Sequence, residues 1–222
     1  MSLFTDSAGY WDRYGRGVAD ASPEAALKNA FGWCQYEGHG PGGELLGDPL
    51  STLELGSGQG HAVAALATKG IVATGVDLSP VQVEAARSRW GHLPNAHFAR
   101  GEVLDFLTAT DRRFDAIYSI WGALWFTDPR KLLPAVFARL VPGGRLVFSH
   151  APHVPGTATG ALGMWAAGYT GPQVPMARWS YEPAHWSELL AGHGYTETYA
   201  RVLPAPSAGD VGTLLVETRR PR

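Results

Sequence analysis

Between residues 51 and 150, short apolar runs alternate with segments whose apolar residues recur every three or four positions. Runs at 52–55, 71–76, 96–100 and 114–120, and a fifth ending at Phe148, have strand length and are bounded by turn residues. The segments between them read as helices. Residues 60–69 turn Val63, Leu66 and Ala67 inward. Ser79, Pro80 and Gln82 have the form of a capping box, followed by a buried stripe of Val83, Ala86 and Trp90. Asp128 and Pro129 begin another helix, which buries Leu133, Val136, Phe137 and Leu140 and stops at Pro142-Gly143-Gly144. Strands that alternate with helices in this way predict an α/β fold with a mostly parallel, doubly wound sheet.

Both flanks depart from the alternation. Residues 1–50 read as an aromatic and helical cap. Tyr10-Trp11-Asp12-Arg13-Tyr14 is followed by an N-cap at Ser22 with Pro23 behind it, and a helix is expected from there to about Trp33. Residues 37–49, rich in Gly and Pro, link this cap to the core of residues 51–222. Within the core, residues 149–183 mix nine Gly and Pro residues with Met164, Trp165, Tyr169, Met176, Trp179 and Tyr181 before the pattern resumes. So long a segment between core elements is usually functional or disordered, and its aromatics argue against disorder. Trp186, Leu189 and Leu190 then form a helix stripe, and 195–203 and 211–217 are two alternating strands.

Composition narrows the function classes. With 222 residues, 45% of them hydrophobic, the chain can bury one substantial core. A net charge of -2 gives no electrostatic footprint for nucleic acid or acidic membranes. Cys34 is the single cysteine, which excludes an intramolecular disulfide, a four-cysteine zinc site and an iron–sulfur cluster. Residues 1–6 carry no basic-then-apolar leader and no run reaches membrane-spanning length, so a cytoplasmic protein is expected.

The informative stretch is Glu54-Leu55-Gly56-Ser57-Gly58-Gln59-Gly60, where an apolar run ends and a helical segment begins at once. Glycines in such a strand–turn–helix supply positive φ and let a ligand lie against backbone N–H groups. A dinucleotide fingerprint requires its third glycine at the position of His61, one residue later than Gly60. Glu54, before the first glycine, suits a ligand with a positive end and repels a pyrophosphate. Asp77 follows Gly60 by 17 residues, one helix and one strand further on, where a carboxylate can accept both ribose hydroxyls.

Glu54-x-Gly56-x-Gly58-x-Gly60 resembles motif I of the class I S-adenosylmethionine-dependent methyltransferases, and Gly75-Val76-Asp77-Leu78-Ser79-Pro80 is similar to the wording that follows it in that superfamily. The resemblance covers about residues 51 to 150 and points to the small-molecule branch, which includes tailoring enzymes of secondary metabolism. It implies a seven-stranded sheet whose last strand is antiparallel, with 149–183 as an insertion after strand five that covers the acceptor. It also implies S-adenosylmethionine as cofactor, held by Glu54, Gly56, Ser57, Gly58, Gly60, Asp77, Leu78 and Ser119, with Glu102 and Val103 at the adenine.

The end of the fourth strand meets the transferred methyl in this superfamily. Ile120-Trp121-Gly122-Ala123 lacks the Asn/Asp-Pro-Pro-aromatic wording of amino-methylating DNA and RNA enzymes, there is no glutamate pair, and no oxygen ligands for a metal gather there. Instead it offers an aromatic wall. Trp121 and His150 are the candidate catalytic groups, the histidine as a base near working pH. Tyr14, Trp121, Trp125, His150, Trp165 and Trp179 are the candidate acceptor contacts. The expected reaction is metal-independent methyl transfer to an O or N atom of a small molecule, by a monomer or homodimer. A non-catalytic protein that binds the same cofactor, and a nicotinamide-dependent dehydrogenase, remain as alternatives.

Overall fold

In a computed structural model of the chain, describing residues 7–17, 21–156, 160–167 and 173–222, the five apolar runs become parallel neighbours. They are β1 (Ser51–Leu55), β2 (Val72–Asp77), β3 (Ala96–Arg100), β4 (Phe114–Ile120) and β5 (Leu140–His150). Residues 1–6 and Tyr169, both used in the sequence reading, lie outside the described residues, as do the side chains of Met164 and Trp165. The helices are α1 (Ser7–Gly17), α2 (Pro23–Lys28), α3 (His61–Ala67), α4 (Pro80–Trp90), α5 (Val103–Ala109), α6 (Ala123–Phe126), α7 (Pro129–Arg139) and α8 (Pro183–Gly192). Four more strands follow β5: β6 (Gly160–Ala167), β7 (Gln173–Ser180), β8 (Thr196–Leu203) and β9 (Thr213–Arg219).

Seven strands form one sheet in the order β3-β2-β1-β4-β5-β9-β8, and β9 runs antiparallel to both its neighbours. The central strands are buried on both faces, which is why they read as nearly continuous apolar runs. One face packs Leu107, Leu132, Leu133, Val136, Trp186 and Leu190 from α5, α7 and α8; the other packs Trp33, Leu46, Val63 and Leu66 against Ala116, Tyr118 and Leu215. Helix starts follow their caps: the hydroxyl of Ser22 accepts from the N–H of Ala25, that of Ser79 from Gln82, and the Asp128 carboxylate from Arg130.

Three local expectations are corrected. The second helix ends at Lys28, not near Trp33, because Asn29 closes it and the chain turns Trp33 into the core, where its indole N–H donates to the Gly42 carbonyl at 2.9 Å. Helix α7 ends at Arg139, and Pro142-Gly143-Gly144 fall inside β5, where the register with β4 slips between Phe114 and Ala116. The insertion carries an antiparallel ribbon, β6–β7, that no alternation announced. Its Gly and Pro residues hide the period, and a two-stranded ribbon tolerates Pro175 because each strand is an edge.

Candidate active site

A cavity of about 460 Å³ opens at the C-terminal ends of β1, β2 and β4, the mouth expected of an open parallel sheet. Its floor is the Gly56–Gly60 turn. Gly56 has φ 79°, and a Cβ there would lie 2.5 Å from the Ala123 nitrogen; Gly60 has φ 74°, and a Cβ would strike the Phe98 ring at 2.3 Å. Backbone handedness and close packing both demand glycine at these two positions. Asp77, at the end of β2, clamps the turn: one carboxylate oxygen accepts from Gly58 N–H and the other from Ser79 N–H, each at 2.8 Å. Its remaining lone pairs stay available to the cavity, which it lines. Because Asp77 takes the Ser79 N–H, the reciprocal half of the capping box is not made; Gln82 instead lines the cavity, with its Oε1 buried and unpartnered.

Glu54 faces the cavity from β1, 5% exposed, and its only printed side-chain partner is the Tyr118 hydroxyl, which donates at 3.4 Å. Burial, reinforced by the nearby Asp77, holds the Glu54 carboxyl well above the usual range, although the Tyr118 bond opposes the shift. Burial also raises Asp77, against the two backbone bonds, and Asp12 adds to the rise. Neither acid has an ion-pair partner among the described residues. Glu102 and Val103 line the rim where β3 turns into α5, and burial, then Asp105, raises the Glu102 carboxyl.

The opposite wall is aromatic. Tyr14 and Trp11 from α1 line the cavity, and the Trp11 ring meets Phe126 of α6 edge-on at 4.9 Å, so the first helix arches over the cleft. Trp121 also lines it, with φ 51°, a left-handed conformation that costs a residue with a bulky side chain about 1 to 2 kcal/mol. Two bonds hold it there: its N–H donates to the Ser149 carbonyl and its indole N–H to the Trp33 carbonyl, both at 2.9 Å. Met176 and Ala177 of β7 close the far end.

Ten of the expected site residues therefore meet at this cavity: Tyr14, Glu54, Gly56, Ser57, Gly58, Asp77, Leu78, Glu102, Val103 and Trp121. Gly60 shapes the turn from behind. The others do not line the cavity. Ser119 is buried, its hydroxyl donating to the Leu55 carbonyl and accepting from the Leu124 N–H, so it ties β4 to β1 and α6. His150 is wholly buried and stacks on Trp125 at 5.5 Å with an interplanar angle of 4°. Burial lowers its pKa to about 4, and the charge of Arg178 adds to the fall against a 2.7 Å bond between Nδ1 and the Ala151 carbonyl. The expectation of a base at the methyl-transfer mouth is corrected accordingly: the imidazole is neutral but lies behind the wall. Trp125 and Trp179 are also set back, and the Trp165 side chain lies outside the described residues.

The sequence reading missed Trp11, Gln59, His61, Gln82, Phe126 and Met176, all on the cavity. Trp11 and Tyr14 stand three apart, one face of a helix, so recognising α1 as helical would have brought Trp11 in with Tyr14. Gln82 was hidden by its apparent capping role.

These residues fit S-adenosylmethionine. Two buried carboxyls without a cationic partner suit a ligand with a sulfonium and an ammonium, and the orphaned Gln82 oxygen needs a donor such as a ribose hydroxyl.

The sheet order, the acid-and-glycine turn after β1 and the acid ending β2 define the class I S-adenosylmethionine-dependent methyltransferase fold. A family described as a methyltransferase domain matches residues 53–148, and the chain belongs to that superfamily. Among sequence relatives, a trans-aconitate 2-methyltransferase of Methylobacterium radiotolerans is 32% identical over 166 residues, covering 68% of this chain and 62% of that protein. The chain thus spans less than two thirds of that relative, and 42% of a second trans-aconitate 2-methyltransferase, from Paracidovorax citrulli. Among solved structures, DhpI in complex with S-adenosylhomocysteine has a TM-score of 0.65 at 20% identity, covering 96% of this chain and 94% of its own; the likeness is one of fold.

Proposed function

We propose that the protein transfers a methyl group from S-adenosylmethionine to an O or N atom of a small-molecule acceptor, without a metal ion. The observation that carries this reading is the single cavity in which Glu54, the glycine turn, Asp77 and Trp121 converge. When bound, S-adenosylmethionine supplies an electrophilic methyl group on a sulfonium. Glu54 offers negative charge to the cationic end, Asp77 and Gln82 offer acceptors to hydroxyls, and Glu102 and Val103 flank the adenine. Trp121 and Met176 bound the acceptor end, and the arch from Trp11 to Phe126 shields the cleft from water. Methyl transfer to an already nucleophilic atom then requires alignment and exclusion of water more than a base, which agrees with the position of His150.

The relatives are named for methylation of trans-aconitate, a small organic acid, which supports an acceptor of that size. Among the described residues no helix is long and apolar enough to cross a membrane. Residues 1–50 serve as a cap on the cofactor and 149–183 as the cover of the acceptor, in a cytoplasmic monomer or homodimer of secondary metabolism.

Calorimetric titration with S-adenosylmethionine and S-adenosylhomocysteine, alongside Asp77→Ala, tests the reading. Saturable binding that weakens about tenfold or more is expected, since the substitution removes a charged acceptor and unclamps Gly58. A folded protein that binds neither compound would overturn it.

A further inference from the structure

Behind the acceptor end of the cavity lies a group of buried polar atoms that the proposed reaction does not use. Trp125 Nε1, Trp186 Nε1, Arg178 Nε and His150 Nε2 are all shielded from solvent and have no hydrogen-bond partner. They belong to one cluster. His150 stacks on Trp125 at 5.5 Å and meets Trp186 at 5.7 Å, while the Arg178 guanidinium lies 5.7 Å from the centre of the Trp125 ring. The residues come from α6, β5, β7 and α8, so no local turn accounts for their convergence.

The chemistry of the cluster is one-sided. An indole N–H only donates and a guanidinium only donates. The bond from His150 Nδ1 to the Ala151 carbonyl requires the proton on Nδ1, leaving Nε2 as the one acceptor. Arg178 has no ion pair among the described residues. Buried donors left unpaired are costly, and a cation without a counter-charge more so. What such a set lacks is an anion with several lone pairs.

The cluster adjoins the cavity by one layer of side chains. Trp125 touches Trp121 at 5.8 Å and Phe126 at 4.9 Å, both of which line the cavity. Arg178 is two residues along β7 from the cavity-lining Met176, hence on the same face of the strand. Same-face neighbours stand roughly 7 Å apart, a distance an arginine side chain spans.

We propose that the acceptor carries a carboxylate, and that Arg178 together with the indole N–H groups of Trp125 and Trp186 holds it as an anchor at the far end of the cavity. The inference rests on the methyl-transfer reading and adds the acceptor's chemical class. The anchored carboxylate is not the methylated group, because donors on its lone pairs lower its nucleophilicity; the reacting atom lies nearer Trp121. His150 Nε2, as acceptor, takes a hydroxyl or N–H of the same ligand.

The test uses the full chain saturated with S-adenosylhomocysteine, whose own binding is measured first. Succinate and benzoate are then titrated beside succinamide and benzamide, which match them in shape without the charge. The carboxylates are expected to bind at least about tenfold tighter than the amides. Arg178→Gln is expected to remove that preference, Arg178→Lys to retain part of it, and Trp125→Phe to weaken carboxylate binding while keeping an aromatic ring. If S-adenosylhomocysteine binds but no carboxylate does at millimolar concentration, or if acid and amide bind alike, the anchor is overturned and methyl transfer stands. If S-adenosylhomocysteine itself fails to bind, the underlying reading falls and the anchor with it.

Discussion

The carboxamide of Gln82 lies between Gly15 of α1 and Gly58 of the glycine turn; a Cβ added at Gly15 would come within 2.9 Å of it. Nothing in the ligand-free protein donates to its buried Oε1, and an unsatisfied buried acceptor costs about 1 to 3 kcal/mol. Gln82→Met, close in size and apolar, removes that cost. The variant is therefore expected to melt no lower than the parent and to bind S-adenosylhomocysteine about fivefold to tenfold more weakly. Thermal melts and titration of the two proteins measure both quantities. A lower melting temperature with unchanged affinity would make Gln82 a packing residue. Trp121 shows the same exchange of local stability for shape, since its left-handed backbone is unfavourable and two hydrogen bonds hold it at the cavity.

Helices α1 and α4 meet through one hydroxyl. Ser79 caps α4 by accepting from Gln82 N–H at 3.1 Å and donates to the Asp12 carboxylate at 2.5 Å, so the cap of one helix is the latch of the other. Ser79→Ala is expected to cost about 1 to 2 kcal/mol and to speed amide hydrogen exchange in α1, which carries Trp11 and Tyr14 over the cavity. Asp12→Asn keeps an acceptor for Ser79 and removes a charge that raises Asp77. Exchange in α1 should be unchanged in that variant, and a Ser79→Ala protein with equally slow exchange would show that α1 docks by its aromatic contacts alone. At this scale the sequence was most readable where structure is local. Ser22, Ser79 and Asp128 cap their helices as expected, and the doubly buried strands lie within two residues of their apolar runs. The glycine turn and Asp77 were legible too, because one helix and one strand fix their spacing. The end of α2, the slip in β5 and the β6–β7 ribbon depend on partners far along the chain. So does the acceptor wall: whether Trp121, Trp125 or His150 faces the cavity is decided by side-chain direction past the strand ends, which periodicity does not carry.

Over the whole molecule, two buried titrating groups set opposite pH dependences. His150, with a pKa near 4 against an ordinary 6.5, binds fewer protons folded than unfolded in that interval. Stability therefore falls as pH drops from about 6.5 toward 4, by about 3 kcal/mol when complete. Glu54 acts the other way. Its carboxyl is raised above 4.5, so the folded ligand-free protein holds a proton that the unfolded chain releases, and stability falls as pH climbs from 4.5 through the raised value. Asp77, raised for the same reason, adds to this slope. A cationic ligand beside Glu54 favours the ionised form, so binding and deprotonation are linked. The increase in melting temperature given by S-adenosylmethionine should therefore be small at acid pH and grow as pH rises through the Glu54 transition. Glu54→Gln is expected to flatten that growth while leaving the acid-side loss of stability, and His150→Phe to remove the acid-side loss while leaving the growth. Melts of the three proteins across pH, with and without ligand, separate the two contributions. A ligand-induced shift with the same pH dependence in Glu54→Gln as in the parent would mean that the cationic end of the ligand does not lie against Glu54.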